Sequence, residues 1–291
     1  MPASYLHQSV ARAVTGGSPA ALAGAEGPDP LFYCFHHAKG APLPFALGSR
    51  LHKSRTGAFL LSLLRSAKTP AQRDYALGFL THYATDTTFH PFVYAHANAP
   101  EGKYSTNLHC TLEHALDAWL YRIEGHETGT PRHMAGVAAL RPDECEEIAK
   151  LLCTAVLETY SDVHVQPAFF QHAFKDSAAL TRILHSPGGT KYAVFGALAR
   201  PFGLKKTLHA HMVPTRLPEG DFLNLARDTW ESPFESGERR DSVPELLAAA
   251  KARAASFVSA GRAYLAGEMA ETELSGILGS MSYDSGLPCR E

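Results

Sequence analysis

Three good metal-binding residues, His82, Asp86 and His90, stand four apart in GFLTHYATDTTFHPFV, residues 78–93. This spacing constrains the fold more than any other feature of the chain. Four residues of an α-helix advance by one turn plus about 40°, so the three side chains stack along one face, while Tyr83 and Phe89 remain for a core. Pro91 disfavours the α conformation at His90 and predicts that this helix, starting near Ala71, stops near Phe89 with His90 at its exit. His109 and Glu113, again four apart, follow after a short loop. The spacing places them on a helix capped by Thr106 or Asn107 and closed by Gly125, with Leu108, Leu112, Leu116, Trp119 and Leu120 facing a core. Two such helices can pack side by side and turn their ligands inward, as bundle metal sites do.

The remaining chain reads as helical. Ser4 is a candidate cap for a helix running to about Val14, ended by Gly16 and Gly17. Gly24 to Pro44 is loop-like, with GPDP as its sharpest turn signal and Asp29 on it. LGSRLHKSRTGAFLLSLLRSA then resumes a helical pattern with His52 near its start. Further helical patterns cover about 143–160, 177–185, 222–229, 244–265 and 271–281. Sustained two-residue alternation is lacking, so the expected fold is all-α. With no internal repeat and no shift of composition after the 201–220 loop, residues 1–291 are expected to form a single domain.

Lysine and arginine number 27 against 29 acidic residues, for a formal net charge of −2, which argues against nucleic acid held through its backbone. Sixteen histidines scattered along the chain point to imidazole chemistry. Five cysteines without a C-x-x-C pair fit neither a zinc ribbon nor a disulfide framework and suit a reducing compartment. The N-terminal stretch does not read as a signal peptide and no apolar run is long enough to span a membrane, so a cytoplasmic, soluble protein is expected.

A lone histidine usually packs against a core or sits half-exposed. The paired His-x3-Asp-x3-His and His-x3-Glu runs favour a metal instead, and imidazole with carboxylate, without clustered thiolates, is zinc chemistry. The Glu-x-x-His pair of di-iron bundles, the His-Glu-x-x-His run of zincins, the His-Asp doublet of the HD phosphohydrolases and the phosphate-cradling G-x-x-x-x-G-K-[ST] are all absent.

Taken in order, a helical His7, GPD with Asp29, GSRLHK with His52, HYATDTTFH with His82, Asp86 and His90, and HCTLE with His109 and Glu113 resemble the zinc-dependent phospholipase C family, whose all-α fold is shared with the S1/P1 nucleases. Singly, Asp29 between two prolines would be a turn residue, His52 beside Lys53 a solvated one and His7 a core one. The resemblance covers residues 1 to about 125 and implies a cleft holding two or three zinc ions. It implies that Asp29, His52, His82 and Asp86 hold one zinc and that His90, His109 and Glu113 hold a second. His7 and a bridging Asp86 would contribute to a third. In the secreted members an N-terminal tryptophan completes that third site, whereas this chain begins Met1-Pro2, so its ligation is expected to differ. The segments between Asp29 and His52 and between His90 and His109 are longer than in those members and are expected to reshape the cleft mouth. A C-terminal β-sandwich lipid-binding domain, as in the secreted toxins, is not expected.

The expected activity is zinc-dependent hydrolysis of a phosphoric ester, phospholipase C-like, on a phospholipid or a related small phosphodiester, with Asp29 also orienting the attacking water. A peripheral membrane contact is compatible with that substrate. Two alternatives stay open: a nuclease-like phosphodiesterase, and a noncatalytic helical protein with a structural or degenerate zinc site. Phe32, Tyr33 and Phe35 would suit an acyl chain or a base equally well.

Overall fold

The computed structural model describes residues 4–36, 41–98, 103–126, 136–199 and 208–289, and within them the fold is all-α. Eleven α-helices form: α1 (Ser4–Thr15), α2 (Pro19–Gly24), α3 (Pro44–Lys53), α4 (Thr56–Ser66), α5 (Pro70–His96), α6 (Thr106–Ile123), α7 (Pro142–Thr159), α8 (Pro167–Leu184), α9 (Thr190–Ala199), α10 (Val243–Leu265) and α11 (Glu271–Leu278). The one sheet among the described residues pairs β1 (Trp230–Glu231) with β2 (Glu238–Arg239), antiparallel.

The long helix α5 is the axis of the molecule. Thr69 and Gln72 start it with a reciprocal capping box, and Pro70 supplies a backbone angle already suited to the first turn. It is buried along most of its length, and α1, α2, α7 and α10 pack around it. Its aromatic residues lock the neighbours in place: Tyr83 stacks on Phe257 of α10, and Phe79 meets Phe59 of α4.

Contrary to the sequence expectation, α5 does not stop at Phe89 but continues through Pro91 to His96. Proline removes the N–H that would have bonded the Thr87 carbonyl. That carbonyl instead faces Gly286 so closely that a Cβ at 286 would stand 2.5 Å from it. His90 is therefore an interior helical residue, in register with His82 and Asp86.

Other boundaries differ for local reasons. Ser4 lies inside α1 and does not cap it; the N–H groups of Tyr5 and Leu6 donate to the Asp117 carboxylate of α6 at 3.2 and 2.8 Å. Ser105, not Thr106 or Asn107, caps α6, its hydroxyl accepting from the N–H of Leu108. Leu108 itself is exposed. The run 47–67 breaks at Arg55, whose φ of 52° ends one helix and begins the next, so His52 closes α3 and does not start a helix. Residues 222–229 form turns, because Asp221 accepts from the N–H groups of Leu225 and Ala226 while Asn224 and Arg227 take positive φ. The pattern at 177–185 is the second half of α8, which starts at Pro167. Helices α2 and α9 have no counterpart among the sequence expectations.

Candidate metal centre

Eight side chains converge where α1, the Asp29–Tyr33 3₁₀ turn, α3, α5 and α6 meet, and all eight are buried. They fall into three groups whose ligand atoms lie within 4.8 Å of one another: His7 with His82 and Asp86; Asp29 with His52 and His82; His90 with His109 and Glu113. Asp86 stands between them. Its Oδ2 is 2.9 Å from His82 Nε2 and 3.8 Å from His52 Nε2, while Oδ1 is 3.2 Å from His7 Nε2 and 3.7 Å from His90 Nε2. Asp29 Oδ1 lies 3.2 Å from His52 Nε2, and Glu113 Oε1 lies 3.2 and 3.1 Å from His90 and His109 Nε2.

Backbone carbonyls fix how the imidazoles face. His52 donates Nδ1–H to Gly48, His82 to Ala25 and His90 to Tyr283, at 2.7, 3.1 and 3.0 Å. A carbonyl only accepts, so the proton resides on Nδ1 and the Nε2 atoms turn toward the carboxylates, the orientation that metal-ligating histidines take.

The donor set fits a cation. Asp29 Oδ2, Asp86 Oδ2 and His82 Nε2 are buried without a hydrogen-bond partner, a condition that costs about 1–3 kcal/mol per group unless something else satisfies it. Burial pushes the Asp86 carboxyl up, but His82, His90 and His7 hold it well below the usual range. Glu113 is likewise driven up by burial and brought well below it by His109 and His90. Burial lowers His90, yet Asp86 and Glu113 lift it to about 10. The centre thus favours positive charge between its carboxylates, and imidazole nitrogen with carboxylate oxygen is the set zinc prefers.

A family model described as zinc dependent phospholipase C matches residues 4–161. The chain belongs to the zinc-dependent phospholipase C family. Comparison with curated proteins and with solved structures gives no match. The matched span contains all eight converging residues, so a family of zinc-dependent enzymes and a buried set of zinc-type donors coincide in the same half of the chain. Met1 and Pro2, where the family's N-terminal departure is expected, lie outside the described residues.

Several residues at the site carry no sequence signal of the kind that marks the eight. Gly27 has φ +53°, and a Cβ there would stand 2.2 Å from the His82 ring. The segment 281–289, beyond the matched span, returns as a strap. Tyr283 N–H donates to the His52 carbonyl at 2.8 Å, its own carbonyl accepts from His90, and its ring packs on His52 and His82. Asp284 pairs with Lys53 at 3.0 Å.

Above the centre opens a cleft of about 260 Å³, with Asp29, His52, His90 and His109 along its floor. Phe32 against Phe45 and Tyr94 stacked on Tyr104 form apolar walls; Lys53 and Asp284 are its charged pair. The two longer segments expected to reshape the mouth supply Phe45 and Tyr104. Phe35 is 74% exposed and does not line the cleft.

Proposed function

We propose that this protein is a zinc-dependent phosphoester hydrolase that cleaves a phospholipid, or a related small phosphodiester, in the manner of a phospholipase C. The observation that carries the reading is that three adjoining groups of zinc-type donors lie together and two of them line one cleft with aromatic walls. Zinc bound there would neutralise phosphate oxygens and lower the pKa of an attacking water.

The chain's own residues divide the remaining work. Asp29, with Oδ1 directed to His52 and Oδ2 making no hydrogen bond, orients the attacking water and accepts its proton. Asp29 together with His7, His52, His82, Asp86, His90, His109 and Glu113 would hold two or three zinc ions, with Asp86 shared between groups. Phe32, Phe45, Tyr94 and Tyr104 exclude water from the leaving group. For a phospholipid the products are diacylglycerol and a phosphorylated head group.

The mouth supports a peripheral membrane contact: Phe45 is 67% and Tyr104 46% exposed at its edge. No described helix is long and apolar enough to cross a membrane. We further read residues 1–291 as one domain of a cytoplasmic protein, for which five free cysteines are suited.

The test is zinc content by elemental analysis together with turnover of phosphatidylcholine vesicles, a soluble phosphodiester and single-stranded nucleic acid, for the wild type, Asp29→Asn and Asp86→Asn. Lipid turnover lost in both variants supports the proposal. Preference for nucleic acid makes the protein a nuclease-like phosphodiesterase, and zinc-loaded protein inert on all three makes the centre structural.

A further inference from the structure

A second cavity, of about 300 Å³, lies where α5, α10, β2 and the 281–289 strap meet. Thr87 and Thr88 of α5, Arg253 of α10, Arg239 of β2 and Ser285 of the strap line it. None of them belongs to the three metal-type groups. Separate elements thus bring two guanidinium groups and the Ser285 hydroxyl to one hollow, while the Thr87 and Thr88 hydroxyls donate to backbone carbonyls within α5.

Neither arginine is fully committed to an ion pair. Arg253 is half-buried and donates to Thr87 Oγ1 at 3.2 Å, and among the described residues no carboxylate lies within ion-pairing distance of it. Arg239 gives one N–H to Asp241 at 3.0 Å while its planar group lies over the Trp230 ring, which leaves its other donors available. Glu235, the one acidic residue on the rim, is exposed and pairs with neither.

We infer that this cavity is a binding site for a phosphate-type oxyanion, separate from the metal centre. Guanidinium forks with the adjacent Ser285 hydroxyl match the many acceptors of a tetrahedral oxyanion better than the two oxygens of a carboxylate. The volume exceeds that of a bare ion, so the class that fits is a phosphate monoester, either free in solution or borne on a lipid. Bound there, it joins Arg253 of α10 to Ser285 of the strap, two residues from the Tyr283 that holds His52 and His90.

Sulfate is the probe, because it binds zinc weakly and shares the tetrahedral geometry. Calorimetric titration of the zinc-loaded full chain at millimolar sulfate is expected to show one binding event that persists in Asp86→Asn and weakens about ten-fold or more in Arg253→Ala. Should Arg253→Ala fail to fold by circular dichroism, Ser285→Asp on the strap abolishes the event by repulsion. Phosphatidic acid vesicles distinguish the source: flotation with them that is lost in Arg253→Ala assigns a lipid-borne phosphate, and sulfate binding without flotation assigns a free one. No sulfate binding by the wild type, or binding lost in Asp86→Asn and retained in Arg253→Ala, overturns the site.

Discussion

At the scale of single residues, the centre depends on side chains that have no freedom to move. Gly27 is the clearest case, since both its positive φ and its approach to His82 exclude a Cβ. Gly27→Ala is expected to push the His82 ring out of line, weakening zinc binding ten-fold or more and destabilising the fold by about 1–3 kcal/mol. A competitive zinc titration and a urea melt measure the two effects. Two buried carboxyls outside the centre set a pH dependence. Burial raises both Glu26 and Asp117 to about 8. A carboxyl raised on folding stabilises the protein fully below its unfolded value of about 4, and that stability fades as pH climbs through the folded value. Urea midpoints should therefore fall between about pH 4 and 8 and level off above it, and Glu26→Gln should flatten the slope. His82, Asp86, His90, His109 and Glu113 were legible from ligand chemistry at helical spacing, whereas His7, Asp29 and His52 were legible only through the family resemblance. Gly27 and Tyr283 were not, because a glycine's steric role and a backbone carbonyl's aim exist only once the chain has folded.

At the scale of elements, the ligands are aimed by contacts between segments distant in sequence. Helix α1 presents His7 because Asp117 of α6 satisfies the first N–H groups of its turn. Asp117→Ala should cost about 1–3 kcal/mol by stranding those donors, and should lower zinc occupancy where His7 participates. Thermal melts and zinc stoichiometry separate the losses. The strap acts on the opposite side. A Cβ at Gly286 would meet the Thr87 carbonyl, so Gly286→Ala should lift the strap and loosen His90 through Tyr283, while Tyr283→Phe keeps both backbone bonds and should bind zinc normally. Helix periodicity made most elements readable. It failed at Pro91, where Gly286 replaces nothing the sequence could announce: proline's local rule yields to a helix buried on nearly all sides. It failed at 222–229 because side-chain bonds from Asp221 outweighed an apolar pattern.

At the scale of the whole molecule, the family match ends at residue 161, yet the centre is closed by residues 281–289, and α10 packs along α5 behind it. Metal binding and global stability should therefore be linked. Chelation should lower the melting temperature markedly, since zinc at about 1,000 times its dissociation constant adds about 4 kcal/mol per site, and unpaired buried carboxylates remain when it is removed. The most direct measurement is an anomalous difference map at the zinc absorption edge from crystals of the purified protein. Two or three peaks are expected, one among Asp29, His52, His82 and Asp86, and one among His90, His109 and Glu113, with any third beside His7 and Asp86. No peak within coordination distance of these side chains, in protein shown to carry zinc, would contradict it.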